Sequence, residues 1–80
     1  MNQSSRNFLD NNRHHHTLLI RAGYMKHVDH SFKEGLLGVI RIEFQAGYNA
    51  NLWCGDCVAD MIKFAYTQYD KYLTNEKTNS

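Results

Sequence analysis

Cys54 and Cys57 stand three positions apart in the run Asn51-Leu52-Trp53-Cys54-Gly55-Asp56-Cys57-Val58, and they are the only cysteines of the chain. Two thiols at this spacing support three chemistries. They can cycle as a dithiol in which Cys54 attacks and Cys57 resolves, they can bind a soft metal ion, or they can pack as small apolar groups. A structural disulfide is a poor fourth, because so short a loop removes little entropy from the unfolded chain. A cysteine at the start of a helix has its thiolate stabilised by the helix dipole, which makes Cys54 the candidate nucleophile. Asp56 reads as the N-cap of that helix. No catalytic residue stands out: there is no Ser-His-Asp set, no phosphate-cradling glycine loop, and no glutamate beside the thiols to shuttle protons for a zinc hydrolase.

Zinc is the ion the thiols suit best, since it prefers sulfur and nitrogen donors and takes four of them in structural sites. Gly55 fits a metal knuckle by tolerating positive φ. His27 and His30, in His27-Val28-Asp29-His30, offer a second donor pair at the same spacing, with 23 residues separating His30 from Cys54. Two cysteines and two histidines would then pin an early loop to the start of the last helix. His14, His15 and His16 are alternative donors. A further arrangement has two chains each giving Cys54 and Cys57 to one shared four-cysteine site.

Three helical segments must position these groups, around a single small domain spanning residues 13–73. Leu18, Leu19, Ala22 and Met25 give helical spacing to residues 13–25, with Gly23 weakening the last turn. Ser31 and Glu34 have the form of a capping box opening a helix over 31–46, carried by Phe32, Leu36, Val39, Ile40 and Phe44 and stopped by Gly47. Residues 38–45 also read as a strand, because Val39-Ile40-Arg41-Ile42-Glu43-Phe44 alternates in polarity. Gly35 and Gly38 cost a helix about 1 kcal/mol each relative to Ala. The third helix, from Asp56 to Leu73, repeats Val58, Ile62, Ala65, Tyr69 and Tyr72 at steps of four and three. Phe64 and Tyr66 fall off that face and, with Tyr72, are the candidate interface residues, tyrosine being suited to contacts by its large area and polar tip. Residues 1–12 and 74–80 are mostly polar and read as tails.

Nine basic residues against eight acidic ones leave the chain near neutrality. That balance lacks the strongly basic footprint of a nucleic-acid binder, although Arg13, Arg21, Lys26, Lys33 and Arg41 would supply phosphate contacts weakened steeply by salt. Roughly sixty folding residues bury little surface, which favours a metal, a protein partner or a second copy as added support. No apolar run approaches the ~20 residues needed to span a bilayer, and the first residues lack the apolar core of a signal peptide. The expectation is a protein kept in a reducing compartment, with no membrane partner.

The run Trp53-Cys54-Gly55-Asp56-Cys57 resembles the redox box of the thioredoxins, and a hydrophobic stretch before it and a helix after it keep their order. The likeness is local. That fold needs further strands and a helix after the active-site helix and a cis-proline facing the dithiol, whereas this chain has no proline and about seven polar residues there. Over about half its length, through Arg21-Ala22-Gly23-Tyr24-Met25-Lys26 and residues 51–66, the chain is similar to small CxxC-containing proteins of Bacteroidetes and their phages. That resemblance implies a phage or prophage setting, in the cytoplasm of a bacterial host or in a virion, as a virion component or host-interaction factor, and it transfers no catalytic residue. The expectation is therefore a mainly α, three-helix domain with a Cys-x-x-Cys knuckle at the start of the C-terminal helix, stabilised by zinc and acting in recognition or assembly. A redox-active dithiol is the alternative, and weak nucleic-acid binding a second.

Overall fold

The structure, a computed structural model, describes residues 1–23 and 28–78, with side chains to residue 75. It is mainly helical, and the cysteine pair opens the last helix, as the sequence predicts. In chain order the helices are α1 (Gln3–Asn11), α2 (Arg13–Ala22), α3 (His30–Glu43) and α4 (Gly55–Thr78). The three predicted helices are α2, α3 and α4. The segment expected to be a polar N-terminal tail forms α1 instead, and α4 runs on through Thr78 where a C-terminal tail was expected.

Helix α1 forms because Asn2 caps it, its side-chain oxygen accepting the Ser4 N–H at 2.8 Å. Two apolar residues, Phe8 and Leu9, are enough to dock it. Leu9 is fully buried, and the Phe8 ring stacks on Phe32 of α3 with centroids 5.8 Å apart. A Cβ on Gly35 would stand 2.6 Å from the tip of that ring, so the glycine that weakens α3 locally is what lets α1 lie against it. Asn12 breaks the chain between α1 and α2. Its backbone N–H and side-chain amide both donate to the Phe8 carbonyl, at 3.1 and 2.8 Å.

Helix α2 ends at Gly23, which takes a left-handed φ of 74° and donates its N–H to the Leu19 carbonyl. The expected last turn to Met25 is therefore not helical at Gly23, and Tyr24 and Met25 lie outside the described residues. Leu19 is buried, but Leu18 is exposed. The inner face of α2 is completed by histidines: His15 lies against Phe32 at 4.3 Å between centroids, and His16 stacks on Tyr66 of α4 at 5.0 Å.

Helix α3 starts one residue before the expected cap. Asp29 is the N-cap and makes no side-chain bond, so Ser31 already has helical backbone and cannot close a capping box; Glu34 instead accepts from His30 Nε2 at 2.8 Å. Residues 38–43 are helix, not strand, because Phe32, Leu36, Val39 and Ile40 recur on one buried face. The helix stops at Phe44, before Gly47, with the Phe44 and Gln45 amides both on the Ile40 carbonyl.

Along α4, Val58, Ile62, Ala65 and Tyr69 are buried as the periodicity requires, and Met61 and Tyr66 join them. For Tyr66 the reason is α2 together with the unforeseen α1. Tyr66 donates its hydroxyl to the Leu9 carbonyl at 2.8 Å, and Tyr69 donates to Asp10 Oδ1 at 2.6 Å. Arg13 then pairs with Asp70 at 2.8 Å while its guanidinium lies over the Tyr66 and Tyr69 rings. Burial pushes the Tyr66 hydroxyl well above the usual tyrosine range, so it stays a donor at all physiological pH values. No described helix is long and apolar enough to cross a membrane.

Packing the histidines on rings has a pH consequence. Partial burial lowers the pKa of His15 and of His16, helped by His14 in the first case and Arg13 in the second, against the opposing charges of Asp29 and Asp70. Both folded values lie below the unfolded one, so the stabilisation is complete above about pH 6.5 and is lost as pH falls through the folded values. The melting temperature is expected to fall progressively from about pH 6.5 downward. The His15→Gln/His16→Gln double variant should lose most of that dependence in the same range. Solvent screening at these half-exposed rings keeps the effect modest.

Candidate functional site: the Cys54–Cys57 turn

The stretch joining α3 to α4 is tied to both helices, which fixes where the thiols emerge. On the α3 side, Arg41 donates to the Tyr48 carbonyl and Lys33 Nζ to the Leu52 carbonyl, each at 2.9 Å. On the α4 side, Tyr48 stacks on Phe64 with centroids 4.9 Å apart. Asn51 then folds the chain into the helix, accepting the Trp53 N–H on its side chain at 3.0 Å and the Cys54 N–H on its carbonyl at 3.1 Å.

Cys54 itself occupies the position expected of Asp56. Its carbonyl accepts the Val58 N–H at 3.0 Å, closing the first turn, and its Sγ accepts the Cys57 N–H at 3.3 Å. The thiol does the work of a capping hydroxyl, and Asp56 falls within the first turn, where its charge suits the dipole. Gly55 is the first helical residue. Among the described residues only Gly23 has positive φ, so the knuckle conformation expected at Gly55 is not what brings the sulfurs together; the helical turn does.

The two half-buried free thiols are electrostatically unequal. The neighbouring Cys57 thiol contributes most, and the Cys57 and Asp56 amides add to it, so the Cys54 pKa is lowered against partial burial and the Asp56 charge. Cys57 has its pKa raised, first by the Cys54 thiol and then by burial. Negative charge is favoured on the sulfur at the helix end and disfavoured on the one a turn inside.

The other predicted site residues lie as follows. His30 is exposed, bonded to Glu34, and stacked on Trp53 with centroids 5.0 Å apart and planes 14° from parallel. His27 lies outside the described residues. Among the described residues, no three His, Cys, Asp or Glu side chains converge where they could hold a metal ion. His15 packs between His14 and Phe32 and His16 separately stacks on Tyr66, so His15 and His16 are spent on packing. Of the candidate interface residues, Tyr66 is fully buried and belongs to the core, a correction that follows from its bond to Leu9. Phe64 and Tyr72 are half-buried, against Tyr48 and Tyr69.

Sequence reasoning missed the group that stands out most beside the thiols. Trp53 is 82 % exposed, although its indole lies against His30 and has Lys33 Nζ 5.2 Å from its centroid. The signal was present as a large aromatic residue directly before a cysteine, with no apolar periodicity to bury it. No protein-family model matches this chain, and neither a curated protein nor a solved structure is similar to it.

Proposed function

We propose that the chain is a dithiol protein that exchanges disulfides through Cys54 and Cys57. The observation that carries this reading is the unequal pair at the head of α4: Cys54 Sγ accepts the Cys57 N–H as the helix cap and has its pKa lowered, while Cys57, one turn in, has its pKa raised. The Cys54 thiolate attacks one sulfur of a polypeptide disulfide and expels the other as a thiolate. Cys57 then gives up its proton to solvent and attacks Cys54 Sγ, forming the Cys54–Cys57 disulfide and releasing the first substrate sulfur as a second thiolate. The substrate gains two electrons and the pair loses two.

A second reading uses the same sulfurs for zinc-stabilised assembly. Cys54 and Cys57 supply half of a tetrahedral donor set, and the exposed Trp53 beside them offers a surface for the partner or second copy that completes it. The phage or prophage setting implied by the sequence resemblance suits either.

One experiment separates them. The reduced chain, purified without chelator, is weighed intact under native conditions before and after treatment with oxidised glutathione. Exchange predicts a metal-free monomer that loses the mass of two hydrogens and regains it with dithiothreitol. A zinc ion shared by two chains, resistant to that oxidant, would overturn the exchange reading in favour of assembly.

A further inference from the structure

We propose that Trp53 selects the substrate of the dithiol, its indole receiving an apolar side chain next to the cysteine of a polypeptide disulfide. The proposal rests on the exchange reading of Cys54 and Cys57. Among the described Phe, Tyr and Trp residues Trp53 is the one left exposed, at 82 %, and it immediately precedes Cys54, whose Sγ caps α4. A substrate sulfur delivered to Cys54 Sγ meets a site whose preceding residue in the chain is Trp53.

The ring is held ready for that contact. Its backbone N–H is fixed on Asn51, and its α3 side rests against His30 and Lys33, which are themselves tied to Glu34 and to the Leu52 carbonyl. The stacking on His30 and the Lys33 ammonium restrict the ring on one side and reduce the freedom it loses on binding. The same surroundings define the occupant. The ammonium of Lys33, 5.2 Å from the ring centroid, repels a cationic neighbour, so a Leu- or Phe-flanked cysteine is accepted and a Lys-flanked one rejected. Small disulfides without such a side chain cannot use the contact at all.

The test compares the reduced full-length chain with its Trp53→Ala variant on three probes: 2-hydroxyethyl disulfide, a peptide disulfide with Phe beside each cysteine, and the same peptide with Lys in that place. Wild type should prefer the Phe peptide to the Lys peptide. Trp53→Ala should lower the rate on the Phe peptide by about tenfold, the scale of one lost aromatic contact, and leave 2-hydroxyethyl disulfide unchanged. Trp53→Phe should recover most of the loss. An equal fall on all three probes would overturn the proposal by showing that Trp53 only positions the thiol, and unchanged rates on all three would overturn it by showing no contact. A wild-type chain unreactive with every probe would remove the exchange reading itself, and the substrate role with it.

Discussion

Leu9→Ala is expected to destabilise the fold by about 2–5 kcal/mol, although Leu9 sits in a stretch whose composition looks like a tail. Its side chain is fully buried, and its carbonyl accepts the hydroxyl of buried Tyr66. The cost is the lost transfer of the leucine side chain plus the cavity left in the core where α1 packs on α3. A domain this small has a total stability at the low end of about 5–15 kcal/mol, so the variant should be partly unfolded at ambient temperature. Chemical denaturation followed by far-ultraviolet circular dichroism reads the loss directly. An unchanged midpoint for Leu9→Ala would mean that α1 is not part of the folded unit. Tyr66→Phe checks the same joint from the other side: it keeps the ring and leaves the Leu9 carbonyl unsatisfied, at a cost of about 1–3 kcal/mol.

That joint also marks the limit of what the sequence made legible. The stripe of Val58, Ile62, Ala65 and Tyr69 is long enough to declare α4 without any partner, and Phe32, Leu36, Val39 and Ile40 do the same for α3. Helix α1 has two apolar residues among Gln3-Ser4-Ser5-Arg6-Asn7-Phe8-Leu9-Asp10-Asn11, too few for periodicity to register. Its stability comes from tertiary contacts: a glycine across from Phe8 and a tyrosine hydroxyl across from the Leu9 carbonyl. Tyr66 was misplaced because the side of α4 that looked free is covered by α2, whose His16 and Arg13 lie on its ring, and is tied to α1 through the Leu9 carbonyl. The histidines failed for a related reason. By residue type they are metal donors, and only the rings facing them show that His15 and His16 serve as aromatic surface. The site was legible to the level of a cysteine pair at a helix start. Which residue caps the helix was not, since a thiol at Cys54 took the role that residue preference gives to Asp56.

Single-thiol variants should divide the pair's reactivity unequally. Cys54 draws its low pKa first from the Cys57 side chain and then from backbone amides that no side-chain substitution removes. Cys57→Ala therefore takes away the larger contribution and keeps the rest, so the pH profile of Cys54 alkylation by iodoacetamide should shift upward while the thiol stays reactive. Cys54→Ser takes away the thiol that contributes most to the raised Cys57 pKa, leaving partial burial and the Asp60 charge against a backbone bond at Asn51. Cys57 should then return toward an ordinary cysteine, without the positive helix end to lower it further. Its alkylation at pH 7 should be close to that of an ordinary cysteine, whose pKa is about 8.5, and slower than that of Cys57→Ala, where the backbone amides still favour the Cys54 thiolate. The ratio is smaller than the difference in thiolate fraction, because a thiolate of lower pKa is also a weaker nucleophile. Equal rates and equal profiles would contradict the asymmetry on which the exchange chemistry depends. A zinc site built from both sulfurs predicts a different pattern, in which wild type is protected, either substitution abolishes metal binding, and the remaining thiol becomes more reactive than before. The direction of the change on removing one cysteine thus decides whether the turn at the head of α4 exists to expose a thiolate or to close around an ion.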